Sequence, residues 1–104
     1  MKVYKINIAD VAKQDIRDIK IYITNELQEP VTAVNITNAI LDAIDTLEHM
    51  PDRIALVKDK RLAAQEIRPL YVKNYTVFFR IDDSLDVVEV VRVLYSHRDW
   101  ASIL

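Results

Sequence analysis

The chain has 104 residues, room for one domain, and 51% of them are apolar, enough for a real core. It contains no cysteine and no glycine. That excludes disulfides, thiol nucleophiles and cysteine-held metal centres, and with them every glycine-loop cradle for phosphates or dinucleotides. The formal charge of −2 excludes a chain that grips polyanions over its whole surface, but the charge is unevenly spread. Residues 53–80 hold seven cations (Arg53, Lys58, Lys60, Arg61, Arg68, Lys73, Arg80) against Asp59 and Glu66, a local surplus of five. The first fifty residues carry five basic and eight acidic groups. No apolar run is long enough to span a membrane and no signal-peptide pattern opens the chain, so a cytoplasmic protein without membrane contact is expected.

Residues 2–8 alternate imperfectly between apolar and polar and predict a first strand. Asp10 is expected to cap the helix that follows, its carboxylate accepting free amides of the first turn. Ala12, Ile16, Ile19, Ile23 and Leu27 recur at steps of three and four, which predicts one helical stripe from Val11 to about Leu27. Glu29-Pro30 closes that helix and opens the next, because proline displaces its predecessor from helical geometry and tolerates the first helical position. The second helix is expected to reach about His49, with Ala33, Ile36, Ile40, Ala43 and Leu47 on one side and Val34, Leu41 and Ile44 widening it. So short a connection makes the pair an αα-hairpin. His49 at its C-terminal end suits the helix dipole.

Residues 51–65 show no clean period and read as a surface loop bearing Lys58, Lys60 and Arg61. From Glu66 to Trp100 the chain reads as three strands rich in Val, Ile, Phe and Tyr, joined by turns at Lys73-Asn74 and Asp82-Asp83-Ser84. With glycine absent, Asn and Asp are expected to supply any left-handed backbone. The fold class is therefore α+β, an N-terminal strand and a helical hairpin packed on a small antiparallel sheet completed by a C-terminal three-strand meander.

Strand alternation places Tyr75, Val77, Phe79 and Ile81 toward the helices and Thr76, Phe78 and Arg80 on the opposite face. Arg68, Arg80 and Arg92 then read either as a phosphate-binding row on an open sheet face or as ordinary solvated residues paired with Glu66 or Glu89. The third strand is apolar on both faces, so its parity is left open. At its end, Tyr95-Ser96-His97-Arg98-Asp99-Trp100 offers a proton-transfer group in His97, a cation in Arg98, and stacking surfaces in Tyr95 and Trp100, or else a chain end whose aromatics complete the core. Lys58, Lys60 and Arg61 would grip a nucleic-acid backbone without reading sequence, or form an ordinary solvated loop.

Residues Ile67 through Ile81, followed by Val91-Arg92-Val93-Leu94-Tyr95-Ser96-His97-Arg98-Asp99-Trp100, resemble the toxins of RelE/ParE-type toxin–antitoxin modules. The helix from Ala9 to Leu27, Pro30, and the long second helix ending at Met50-Pro51 are similar as well, so the likeness spans the chain. It implies a compact α+β fold and a cognate antitoxin whose C-terminal segment wraps the toxin. One branch of that family consists of ribosome-dependent mRNA endonucleases that need no metal or cofactor. On that reading the partners are the ribosome and mRNA, the catalytic residues are Arg68, Tyr95, His97 and Arg98, and Lys58, Lys60, Arg61, Arg80 and Arg92 hold nucleic acid. The other branch inhibits DNA gyrase and cleaves nothing, which would place activity on the helices and the C-terminal tail. Either way an apolar groove is expected for the antitoxin, with the second helix one candidate wall and the free toxin able to dimerise there.

Overall fold

The computed structural model describes residues 2–104, and at Trp100 and Ala101 the backbone alone. Strand β1 (Lys5–Ile8) leads into helix α1 (Asp10–Ile21), which widens into a π-helical turn at Tyr22–Glu26. Helix α2 (Pro30–Asp45) follows, with 3₁₀ turns at Thr46–Glu48 and Pro51–Arg53. A short helix α3 (Lys60–Ala64) precedes the meander β2 (Arg68–Val72), β3 (Tyr75–Asp82) and β4 (Val87–Tyr95), and helix α4 (Trp100–Ile103) closes the chain.

The four strands form one sheet in the order β1-β4-β3-β2. The meander is antiparallel, as expected, and β1 joins it parallel to β4, with Lys5 opposite Val87 and Ile8 opposite Val90. The two helices have to lie between β1 and β4 for this pairing to form, since a parallel neighbour needs a crossover. They cover one face. Ala12, Ile16 and Ile23 from α1 and its wide turn meet Ala33, Ile40 and Ile44 of α2 and Val77, Phe79, Val88, Val90 and Val93 of the sheet, all buried. The π turn adds one residue to the helical circuit and keeps Ile23 in register with this core, while Ile21 and Tyr22 emerge into solvent.

Several local expectations are corrected. Ala9, not Asp10, is the N-cap of α1, and no side chain caps that end; Asp10 stands in the first turn, where its charge still favours the dipole. The presumed loop at residues 51–65 contains α3, which forms because the Asp59 carboxylate accepts the Leu62 amide at 3.1 Å. Asn and Asp do not monopolise left-handed backbone: Gln28, Met50, Glu66, Lys73 and Asp86 all have φ between 48° and 61°. Only Asp86 fits the expectation, and the others sit at element ends where the chain direction must reverse.

The larger correction concerns the sheet face away from the helices. The alternation in β3 is as read, but that face is not open. Phe78 is fully buried there, packed with Val57, Leu62, Ile67 and Leu94 and flanked by Val91, Ile103 and Leu104. In β4 a bulge resolves the parity. Arg92 pairs with Phe78 and Val90 with Phe79, so Val91 is an extra residue and the alternation restarts after it. Val88, Val90 and Val93 therefore all reach the helix side, and Leu94 the other.

Candidate functional site

The end of β4 lies against the first meander turn. The Ser96 amide donates to the Asn74 carbonyl at 2.8 Å, and the hydroxyls of Ser96 and Thr76 are hydrogen-bonded at 2.8 Å. This fixes Tyr95, which is 42% exposed, with its ring edge-on to Tyr75, centroids 5.8 Å apart, and 5.3 Å from the His97 ring. The Arg98 amide donates to the Tyr95 carbonyl at 3.1 Å, so Tyr95, His97 and Arg98 form one local group. Beside it a cavity of about 320 Å³ opens between α1 and β4, lined by Ile19, Tyr22, Tyr75, Val93, Tyr95 and Arg98 with Asp15 and Asp18 at the α1 side. Burial pushes the Tyr75 phenol up from its ordinary value, with Tyr22 and Tyr95 nearby adding to the effect.

Tyr22 and Tyr75 were missed by sequence reasoning. Tyr22 stands three residues after Ile19 on the same helix and Tyr75 opens a strand already assigned to the core, so composition flagged neither as part of a site. Trp100, expected as a stacking surface, has a side chain outside the described residues.

The arginines are not gathered. Arg92 is turned to α1, where Asp15 receives its Nε at 2.7 Å and its Nη2 at 2.9 Å, and also the Val93 amide at 3.0 Å. The Asp15 side chain is 11% exposed and that of Arg92 22%, so this is a largely buried, bidentate pair that ties helix to sheet. The hydrogen bond to Asp15 holds the Arg92 guanidinium above its ordinary value, deep in its charged form. The reading of a row on an open face therefore loses Arg92, which is committed to a carboxylate on α1. Arg80 lies directly opposite Glu89 and is ion-paired with it at 3.1 Å on the surface. Arg68 donates through Nη1 to the Ile54 carbonyl and so anchors the segment before α3. By register Arg68 faces Phe79 while Tyr95 faces Tyr75. Four residues of β3 separate these positions, roughly 13 Å along the strand, so Arg68 does not join Tyr95, His97 and Arg98. Lys58, Lys60 and Arg61 are exposed around α3, on the β2 side of the sheet. Among the described residues no cluster of three potential metal ligands exists, and no helix is long and apolar enough to cross a membrane.

A sequence model of the family described as "ParE toxin of type II toxin-antitoxin system, parDE" matches residues 6–100. The chain belongs to the ParE toxin family. Solved structures agree on the fold. The chromosomal ParDE toxin–antitoxin system of P. aeruginosa contains a chain similar at TM-score 0.73 and 15% identity, over 89% of this chain and 96% of that one. A mutant of the E. coli toxin RelE in the free state is similar at TM-score 0.68 and 11% identity, over 97% and 92%. The RelBE2 toxin–antitoxin complex of Mycobacterium tuberculosis contains a chain at TM-score 0.63 and 18% identity, over 91% and 93%. No individual curated protein sequence matches significantly. The ParE fold is thus retained here at low sequence identity, and the chain is a type II toxin of the ParE/RelE kind.

Proposed function

We propose that this chain is the toxin of a ParE-type pair, held in check by a cognate antitoxin, and that it acts by binding DNA gyrase rather than by cutting RNA. The observation that carries the reading is the second apolar cluster: Phe78, Leu94, Leu62, Val57 and Ile67 fill the sheet face on which a phosphate-binding arginine row was expected. Attack by a ribose 2′-hydroxyl needs a base, an acid and cations converging on one phosphate. Here Arg92 is committed to Asp15, Arg80 to Glu89 and Arg68 to the Ile54 carbonyl. A binding protein needs none of them free. The partnership with an antitoxin is supported by the similar chains, which come from a ParDE system and from a RelBE2 toxin–antitoxin complex.

Purified toxin added to a gyrase supercoiling assay tests this directly: inhibition, together with unchanged mRNA 5′ ends after induction in cells, is expected. Fresh in-frame cuts with supercoiling intact overturn it. One observation favours the rival reading, a ribosome-dependent mRNA endonuclease: the Tyr95–His97 ring pair beside Arg98, exposed at one rim of a cavity. There His97 would move the proton, Arg98 would hold the phosphate and Tyr95 would stack a base. On that reading His97→Ala abolishes growth arrest, and on the gyrase reading it leaves arrest intact.

A further inference from the structure

Helix α2 carries two apolar stripes, and the single chain uses only one. Ala33, Ile40 and Ile44 are buried in the core, with Ile36, Ala39 and Ala43 partly buried beside them. On the opposite side Val31 is 72% exposed, Val34 44% and Leu41 39%. With Asn38 and Asp45, also exposed, these residues recur at steps of three, four, three and four. That is the spacing of a coiled-coil seam, on which Val31, Asn38 and Asp45 take a positions and Val34 and Leu41 take d positions. A helix that only covers its own sheet needs one apolar stripe and presents charge to water on the other. Here α2 has no charged residue from Pro30 to Leu41, and the first is Asp42.

The pattern selects a second copy. Coiled coils choose unlike partners by charges that flank the seam. The flanking positions here include Asn35 and Thr37, both neutral, so the seam gives an unlike helix no opposite charge to recognise and a like helix none to repel. Orientation follows from the ends. A parallel pair brings Asp42 against Asp42 and Asp45 against Asp45. An antiparallel pair centred on Ile36 sets Val31 opposite Leu41 and Val34 opposite Asn38, each contact made twice about a two-fold axis. Asp42 then lies at the Pro30 end of the other copy, where a helix's first amides lack intrahelical partners and its dipole is positive. Glu29 stands at that end and opposes the contact, with its carboxylate accepting from the Thr32 hydroxyl at 3.3 Å. Asn35 and Asn38 of both copies collect around the axis, where side-chain amides donate to and accept from one another.

We infer that the outward face of α2 is a self-association surface, on which a second copy of this chain packs as an antiparallel, two-fold helix pair through Val31, Val34, Asn38 and Leu41. The contact lies on the side of α2 away from the sheet, and it rests on neither reading of the target.

Sedimentation of the whole chain over a range of concentrations tests this, with variants at exposed positions. A monomer–dimer equilibrium is expected. Val31→Glu and Leu41→Glu should weaken it at least about tenfold, and Asn38→Leu should tighten it by a similar factor, because a polar residue at an a position costs stability. Asn38→Leu reads a gain, which a misfolded variant cannot imitate. Leu85→Glu, at an apolar position 70% exposed in the β3–β4 turn, should change nothing. The absence of cysteine makes the orientation readable by cross-linking. A mixture of Val31→Cys and Leu41→Cys chains, given a mild thiol oxidant, should form the mixed disulfide in preference to either like pair. A chain that stays monomeric up to about 1 mM, or a dimer indifferent to the substitutions at Val31, Asn38 and Leu41, overturns the inference. So does a cross-link dominated by like pairs, which means parallel helices. Seam variants that leave sedimentation unchanged but weaken the complex with the antitoxin give the face to the antitoxin, and variants that abolish only toxic action give it to the target; either result overturns the second copy.

Discussion

The two faces of the sheet are covered in different ways. On one side α1 and α2 lay periodic apolar stripes across β1, β4 and β3, so the core is assembled from repeats of three and four residues meeting repeats of two. On the other, the cover is a five-residue helix, an irregular segment and the chain end, which contribute single residues: Val57, Leu62, Ile67, Ile103, Leu104. Both bury a phenylalanine of the same strand completely. Burial of a surface thus does not require a periodic element over it, and a face that looks available by strand alternation is closed by residues with no pattern of their own.

The sharpest way to break that comparison is to empty each face in turn. Phe79→Ala on the helix side and Phe78→Ala on the other are each expected to cost about 3–5 kcal/mol in denaturant unfolding, since both leave cavities in packed cores. Near-neutral behaviour of Phe78→Ala would mean the second face is solvated after all. Next in size is the tie between helix and sheet. Arg92→Ala leaves the Asp15 carboxylate largely buried with only the Val93 amide, and a loss of about 2–3 kcal/mol is expected for a pair not wholly buried. A double-mutant cycle with Asp15→Ala should return most of that as coupling.

A smaller effect appears at alkaline pH. Burial raises the Tyr75 phenol above its ordinary 10.0. As pH climbs past 10 the unfolded chain releases this proton first, so stability is complete below about 10 and declines as pH rises toward the folded value. Unfolding curves at increasing alkaline pH check this, and Tyr75→Phe should flatten part of the decline. Least of all is the surface pair: Arg80→Ala should change stability by no more than about 1 kcal/mol, because the ions are exposed and screened. A larger loss would make the Arg80–Glu89 pair a structural tie between β3 and β4.

Much of this was legible in the sequence because it rests on local rules. The stripe Ala12, Ile16, Ile19, Ile23, the break at Pro30 and the Lys73-Asn74 turn follow from helical period, fixed proline geometry and turn length, and each formed where expected. Belonging to the toxin family was legible too, since it depends on the order of such features. The site was not. Arg68, Arg80 and Arg92 share a residue type, but their partners are Ile54, Glu89 and Asp15, at 14, 9 and 77 residues' remove. The Arg80–Glu89 pair was one of the two readings of the strands, but nothing at short range encodes the other two meetings.

The sequence by itself determined the helical hairpin and the meander, which side of β3 is apolar toward the helices, and the toxin family, because periodicity and turn chemistry act within a few residues. Tertiary structure alone decided what Arg68 and Arg92 do and whether the second face is open. One extra residue at Val91 brings Val93 to the helix side, Asp15 of a distant helix holds Arg92, and an unpatterned segment brings Leu62 over Phe78. Such outcomes depend on the register of strands and the docking of distant segments, which are settled only when the whole chain packs.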